Sequence, residues 1–394
     1  MPSLTREKLD QARKLVADAG VDVWMVFVRE TSGGSDPCLP LILDAGLTWQ
    51  SALMVTRTGE TIAVLGNYDA DPLRVSGDWD RIVPYVQGIR EPLLEVLDGV
   101  CGDHPRIAVN TSTSDDKADG ITHGMYRLLE TYLSGTRLEE ALVSAEGIAM
   151  ALRGRKSAEE VRRMRRAIAE TDALFDLAAA HARVGASERA IYRLIQERID
   201  AQGFGYGWER AGNPIVNSGP DSMIGHGIPS DTITIQPGHI FHIDLGVVVE
   251  GYSSDIQRCW FVGDSVPDDV SGAFDAVQAA ISAGASMLRP GIAGWEVDAE
   301  GRRTLVDRGY PEYMHALGHQ VGRMAHDGGA LLGPRWERYG RTPLIPVSVD
   351  EVYTLELGIT VPGRGYLGYE EMVQVTPEGC TFLSNRPTSM PLLG

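Results

Sequence analysis

The stretch TLELGITVPGRGYLGYEEMVQVT, residues 354–376, reads as two apolar strands closed by Pro362-Gly363-Arg364-Gly365, a strong turn signal. Glu356 and Glu370 are equidistant from Gly363, so a hairpin centred there sets the two carboxylates directly opposite each other. That arrangement is repulsive unless something positive lies between them. The pattern therefore constrains both the register of the hairpin and what must accompany it. Glu371 should point to the other face of a regular strand, exposed or hydrogen-bonded outside any site.

The same logic applies to HIFHIDLGVVVEGYSSDIQRCWFV, residues 239–262. With a reversal at Glu250-Gly251-Tyr252, a hairpin brings Asp244 and Asp255 across from one another within a residue or two. Asp244 stands in an apolar strand, where an ionised carboxylate is costly without a cation or donor. Satisfaction by backbone amides is the alternative for Asp244 taken alone. A third segment, HALGHQVGRMAHDGG, carries His315, His319 and His326, with Gly318 and Gly322 around the central one. Glycines allow close backbone approach, which makes His319 the natural ligand and leaves its neighbours for substrate. His226, in SMIGHGIPSD, sits on a loop bounded by Gly and Pro.

Asp244, Asp255, His319, Glu356 and Glu370 together can hold two divalent cations. An oxygen-rich set with one nitrogen suits Mn²⁺, with Zn²⁺, Co²⁺ or Fe²⁺ as alternatives, and the imidazole disfavours Mg²⁺. Two such cations can bridge a water, lower its pKa toward neutrality and polarise a carbonyl, which points to hydrolysis.

Length and composition frame this chemistry. A chain of 394 residues exceeds the usual growth of one core, so two domains are expected. Leu4–Ala19 reads as an amphipathic helix, followed by strand-like runs at 21–28, 51–56, 61–65 and 106–109 and helical stretches near 88–100 and 121–133. These form a mixed α/β domain over residues 1–145. Helical periodicity then runs from Glu139 to about Arg183 and again over 187–201, and glycine-punctuated strands (240–249, 256–262, 352–360, 372–376) surround helices at 268–288 and 294–308. The expected class is α+β, with a second domain over 155–394.

A net charge of −18 argues against a nucleic-acid partner, because phosphate contacts need clustered Lys and Arg. The basic run at 153–166 is interrupted by Glu159 and Glu160 and reads as a solvated helix. The start MPSLTREKLDQARKLV lacks the apolar core of a signal peptide, and no stretch approaches the ~18 apolar residues of a membrane span. A cytoplasmic location without membrane association is the expectation. Cys38, Cys101, Cys259 and Cys380 form no CxxC pair and are expected as buried, unpaired thiols.

The pattern resembles the M24 metallopeptidases (creatinase, prolidase and Xaa-Pro aminopeptidase), whose catalytic domain has the pita-bread fold. The resemblance covers the chain: Lys156-Ser157-Ala158-Glu159-Glu160 matches the start of the catalytic domain, and the first ~140 residues are similar to the creatinase-type N-terminal domain. It implies a dinuclear peptidase acting on the bond between an N-terminal residue and proline by a metal-bridged hydroxide. Asp244 would chelate one metal, Asp255 and Glu370 would bridge, and His319 and Glu356 would complete the second. His226 and His326 would contact the scissile carbonyl and stabilise the oxyanion. His315 would line the substrate pocket, and Glu356 would carry the proton to the leaving nitrogen.

Three positions depart from the family pattern: GHGxGL is Gly318-His319-Gln320-Val321-Gly322-Arg323, the proline after the first glutamate is Leu357, and the arginine two residues before the last glutamate is Gly368. Arg364, or else Arg323, is the candidate to supply the missing cation to a small peptide substrate. The resemblance also implies a homodimer, in which the segment Glu30–Trp49 could reach a neighbour's site or stay buried in its own domain. Two other readings of the fold are a creatinase- or ectoine-hydrolase-like enzyme acting on a small non-peptide amide or amidine, and a non-catalytic binding protein.

Overall fold

The computed structural model describes residues 3–225 and 227–394. The chain divides into two compact units, Met1–Arg153 and Gly154–Gly394.

The first unit opens with helix α1 (Leu4–Ala19), capped by the Ser3 side chain accepting from Arg6 N–H and ended by Gly20 in the left-handed conformation. Next come strand β1 (Val23–Val28), the short helix α2 (Leu39–Ile42), β2 (Ser51–Thr56), β3 (Thr61–Gly66), α3 (Ala70–Ser76), β4 (Arg81–Tyr85), α4 (Arg90–Val100), β5 (Ile107–Val109), α5 (His123–Leu133), β6 (Leu142–Ser144) and α6 (Glu146–Gly154). The six strands form one mixed sheet in the order β4-β3-β2-β1-β5-β6. The β1–β3 strands are buried on both faces, which explains their near-continuous apolar runs. One core packs Trp24, Val26 and Leu53 against α1, and the other packs Met25, Phe27 and Met54 against α4 and α5. In the segment 30–49, Leu39, Leu41, Ile42, Leu43 and Leu47 are buried within this unit.

The expected continuous helix from Glu139 is interrupted by β6, and a further break separates α6 from α7 (Ala158–His181). A capping box starts α7: the Ser157 side chain accepts from Glu160 N–H while Glu160 accepts from Ser157 N–H. A capped start overrides the apolar period that runs through it.

The second unit continues with α8 (Glu188–Gln202), β7 (Gly205–Tyr206), β8 (Ile215–Ser218), β9 (Ile240–Leu245), β10 (Val247–Val249), β11 (Tyr252–Ser253), β12 (Ile256–Val262), α9 (Asp268–Met287), α10 (Gly294–Asp307), β13 (Val352–Val361), β14 (Gly365–Val375), β15 (Cys380–Phe382) and β16 (Leu392–Leu393). Strands β16-β12-β9-β8 form one sheet and β13-β14-β15 another. Helices α9 and α10 pack with β13 and β14 around a core that includes Phe274, Val277, Leu355, Leu367 and Tyr369. The class is α+β.

Two strands differ from expectation. The run 240–249 is broken at Gly246, where a Cβ would lie 2.6 Å from Ser254 O, so β10 leaves the β9 sheet and pairs with β11 and β7. Strand β14 starts at Gly365, seven residues before the expected start, because the turn at 362–364 feeds directly into the ladder. Cys38, Cys101 and Cys259 are buried and form no disulfide, whereas Cys380, on the edge strand β15, is only half-buried.

Candidate metal centre

Strands β13 and β14 pair in the register centred on Gly363, with Glu356 opposite Glu370. Strands β9 and β12 pair one step off the symmetric expectation: Asp244 faces Gln257, and Asp255 lies just before β12, two residues along. The side chains still converge. Asp244, Asp255 and Glu370 place ligand oxygens within 4.8 Å of one another, as do the ligand atoms of His319, Glu356 and Glu370 and those of Asp255, His319 and His326.

His319 enters from an added strand-like segment beside β13. Glu356 N–H donates to Leu317 O (2.7 Å), Thr354 N–H to His319 O (2.8 Å) and Val321 N–H to Val352 O (3.0 Å). A Cβ at Gly318 would sit 2.0 Å from Thr354 O, so only glycine permits this approach. His319 Nδ1 lies 3.3 Å from Gln320 O. That leaves Nε2 aimed into the carboxylates, 3.5 Å from Glu356, 3.7 Å from Asp255 and 3.9 Å from Glu370.

The electrostatics are those of a cation site. Burial pushes Asp244 up to about 7, and burial together with the Asp244 charge pushes Glu356 up to about 8. Asp255 and Glu370 are held well above the ordinary carboxylate range by burial and by their acidic neighbours. Burial, then the nearby His326, lowers His319 to about 3, keeping its imidazole neutral. Asp244 Oδ1 is buried with no hydrogen-bond partner among the described residues. An orphaned carboxylate oxygen beside three further carboxylates and an imidazole nitrogen fits divalent cations better than hydrogen bonding alone.

The remaining predicted positions divide. His326 packs edge to face on His319, with ring centroids 4.3 Å apart, and is exposed at the mouth. His315 is exposed beside Tyr313, with centroids 5.6 Å apart. His226 lies outside the described residues. Arg364 is not brought to the cluster: it donates to Asp269 Oδ2 (3.1 Å) and Gly238 O (3.1 Å) at the turn. It lies six residues along the strand from Glu370, about 20 Å. Arg323 instead stacks on the Tyr252 ring at 5.5 Å. Glu371 points away from the site and is hydrogen-bonded outside it, the second of the two expected outcomes: it is fully buried and paired with Arg258 (3.1 Å).

Sequence reasoning missed Gln257. Its Nε2 donates to Glu356 Oε2 and Glu370 Oε2, both at 3.1 Å, and its Oε1 accepts from His242 Nε2 at 3.1 Å. His242 Nδ1 lies 3.2 Å from Asn217 Oδ1. The available signal was strand alternation, which sets Gln257 on the same face as Asp255 and His242 on the same face as Asp244. Gln320, the departure next to His319, turns away from the ligands and donates to Tyr353 Oη (3.1 Å).

A two-unit chain whose second unit gathers these carboxylates and an imidazole where strands β9 and β12 meet the β13–β14 hairpin is a pita-bread metallohydrolase with a creatinase-type N-terminal unit. The family model for metallopeptidase family M24 matches residues 162–377, more than half of the chain, and the chain belongs to that family of hydrolases. It is 28% identical over 276 residues to an uncharacterized peptidase (YqhT) of Bacillus subtilis, covering 70% of this chain and 73% of that protein. It is 30% identical over 225 residues to an Xaa-Pro dipeptidase of Pyrococcus horikoshii, where the match spans 57% of this chain and 60% of the relative. The dipeptidase PepE of Mycobacterium ulcerans superposes with a TM-score of 0.75 at 26% identity over 99% of this chain and 98% of that one. Among the described residues, no helix is long and apolar enough to cross a membrane.

Proposed function

We propose that this hydrolase is a dinuclear metal-dependent peptidase that cleaves the bond between an N-terminal residue and proline, of Xaa-Pro dipeptidase or aminopeptidase type. The observation that carries the reading is the convergence of Asp255, Glu356 and Glu370 on His319 Nε2, with Asp244 beside Asp255 and Glu370 and its Oδ1 unpartnered among the described residues. Asp244 would hold one ion, His319 and Glu356 the other, and Asp255 and Glu370 both, with Mn²⁺ the first choice. Bound there, the two ions would supply a water of lowered pKa and polarise the scissile carbonyl.

The side chains supply the rest. Glu356 is 19% exposed against 2% for Glu370, so it is the carboxylate at the opening, placed to take a proton from water and pass it to the leaving nitrogen. His326, beside His319 at the mouth, is placed to donate to the oxygen on which negative charge develops. Gln257 holds Glu356 and Glu370 in position from beneath. Family resemblance adds a cytoplasmic homodimer to the reading, and sedimentation velocity tests the dimer.

The direct test is metal analysis with an activity screen. The purified protein should bind about two divalent ions per chain, lose them in Asp255→Asn, and hydrolyse Xaa-Pro peptides only when loaded. Turnover restricted to small guanidino or cyclic amides would instead support the alternative amide hydrolase. The positions of Arg364 and Arg323 away from the ligands are what keep that second reading open.

A further inference from the structure

On the face of the β13–β14 hairpin that carries Glu356 and Glu370, the next cross-strand pair toward the turn is Gly358–Gly368. Neither position has room for a side chain. A Cβ at Gly358 would lie 2.3 Å from Tyr366 Cζ and Oη; one at Gly368 would lie 2.5 Å from Tyr366 Cε1 and 2.6 Å from Gln257 Oε1. Tyr366 shares this face by strand alternation and leans back over both glycines instead of standing off the sheet. Its ring meets His242 edge to face, centroids 5.1 Å apart, and its hydroxyl hydrogen-bonds Tyr313. Tyr313 in turn neighbours His315.

The cluster opens on this side. Side-chain exposure falls from Glu356 (19%) and His319 (14%) to Asp255 (7%) and Glu370 (2%). Beside Glu356 stand two phenols, Tyr366 and Tyr313, both close enough to feel its charge. Arg364 is held by Asp269 and Gly238, Arg323 lies on Tyr252, and Arg258 serves Glu371 on the opposite face of β14. None of these guanidinium groups is placed to meet an anion next to Glu356.

We propose that Tyr366, seated on the Gly358–Gly368 pair and bonded to Tyr313, is a specificity-determining residue that makes the leaving-group side of the site neutral and selects substrates without a free carboxylate there. This rests on the peptidase reading, in which Glu356 serves the leaving nitrogen. In a free Xaa-Pro dipeptide the proline carboxylate adjoins that nitrogen; in a tripeptide or a C-terminal amide a neutral carbonyl takes its place. Of the two phenol hydroxyls, one proton is used in their mutual bond and one remains to donate. A single neutral donor suits an amide carbonyl. An ionised carboxylate, desolvated beside other carboxylates, needs charge-assisted donors, and neither phenol is one.

The test compares Ala-Pro, Ala-Pro amide and Ala-Pro-Ala on Mn²⁺-loaded wild type, Tyr366→Phe and Tyr366→Ala. Metal content is measured for each protein, and calorimetric binding of proline and prolinamide gives a readout independent of turnover. Wild type should favour the amide and tripeptide over the dipeptide by about tenfold or more in kcat/KM, mostly through KM, and prolinamide should bind correspondingly tighter than proline. Tyr366→Phe should keep most of the preference, because the ring still excludes water. Tyr366→Ala should reduce it to within about threefold by admitting water to solvate the carboxylate, with metal content unchanged. A merely structural role for the ring would lower all three substrates equally. Dipeptide turnover in wild type as efficient as amide turnover overturns the proposal and leaves the peptidase reading standing, a result that needs no variant to fold. An unchanged ratio in Tyr366→Ala also overturns it. No turnover of any Xaa-Pro compound removes both.

Discussion

Replacing Gln257 by leucine is the sharpest perturbation of the candidate metal centre that leaves every proposed ligand in place. The two side chains are close in size, so the change removes polarity with little change in volume. Lost are two N–H donations at 3.1 Å, to Glu356 Oε2 and Glu370 Oε2, and the acceptor for His242 Nε2. Donation to an ionised carboxylate contributes about 1.5–3 kcal/mol per bond, and an unpaired buried ring nitrogen costs about 1–3 kcal/mol. Burial raises the affinity of Glu356 and Glu370 for protons, so part of the metal-free population donates to neutral acids and the lower end applies. Metal-free Gln257→Leu should therefore lose about 3 kcal/mol of stability, measured by urea unfolding in the presence of chelator. Mn²⁺ affinity, measured by calorimetric titration, should fall about 10- to 100-fold, as expected when a group orienting metal ligands is removed. Stability within about 0.5 kcal/mol of wild type together with affinity within about twofold would refute the claim that Gln257 positions these two glutamates.

Three further outcomes follow from other parts of the fold. Lys156 and Asp327 form an ion pair with side chains 1% and 2% exposed, so Lys156→Met should cost about 3–5 kcal/mol in urea unfolding, and adding Asp327→Leu should recover most of the loss. Gly318→Ala would press a Cβ to 2.0 Å from Thr354 O, so it should shift His319 and abolish stoichiometric Mn²⁺ binding while the far-UV circular dichroism stays helical. Glu159 is held down to about 2 by hydrogen bonds from Arg162 and Arg163, and NMR titration should place its midpoint there. A depressed folded-state value favours the folded chain above the ordinary carboxylate range and ceases to do so as pH falls toward 2. The small difference in urea midpoint between wild type and Glu159→Gln should therefore shrink from about pH 5 to about pH 3.

Much of the centre was legible from residue spacing because the relevant rules are short-range. Alternation with period two and turn chemistry at Gly363 act over a few residues, and they set Glu356 opposite Glu370 without reference to the rest of the chain. The same holds for the helices, whose ends follow local signals such as Ser3 and Gly20 on α1. Where a local signal competed with a period, as at the Ser157 capping box, the periodicity argument ran two elements together. At Gly246 a close backbone approach bent the strand and shifted the partner of Asp244 from Asp255 to Gln257.

The amino-acid sequence by itself determined which five side chains could hold metal and which pairs of them share a hairpin, because both depend on residue type and local register. Only the tertiary structure decided that the two hairpins present their acidic faces to one space and that His319 reaches it along the edge of β13. It also decided that Gln257 ties Glu356 to Glu370, that Glu371 is buried against Arg258, and that Arg364 turns to Asp269. Each of these is a contact between segments tens of residues or more apart. Such contacts are set by how whole sheets pack and how buried polar groups find partners, and no local pattern in the chain encodes them.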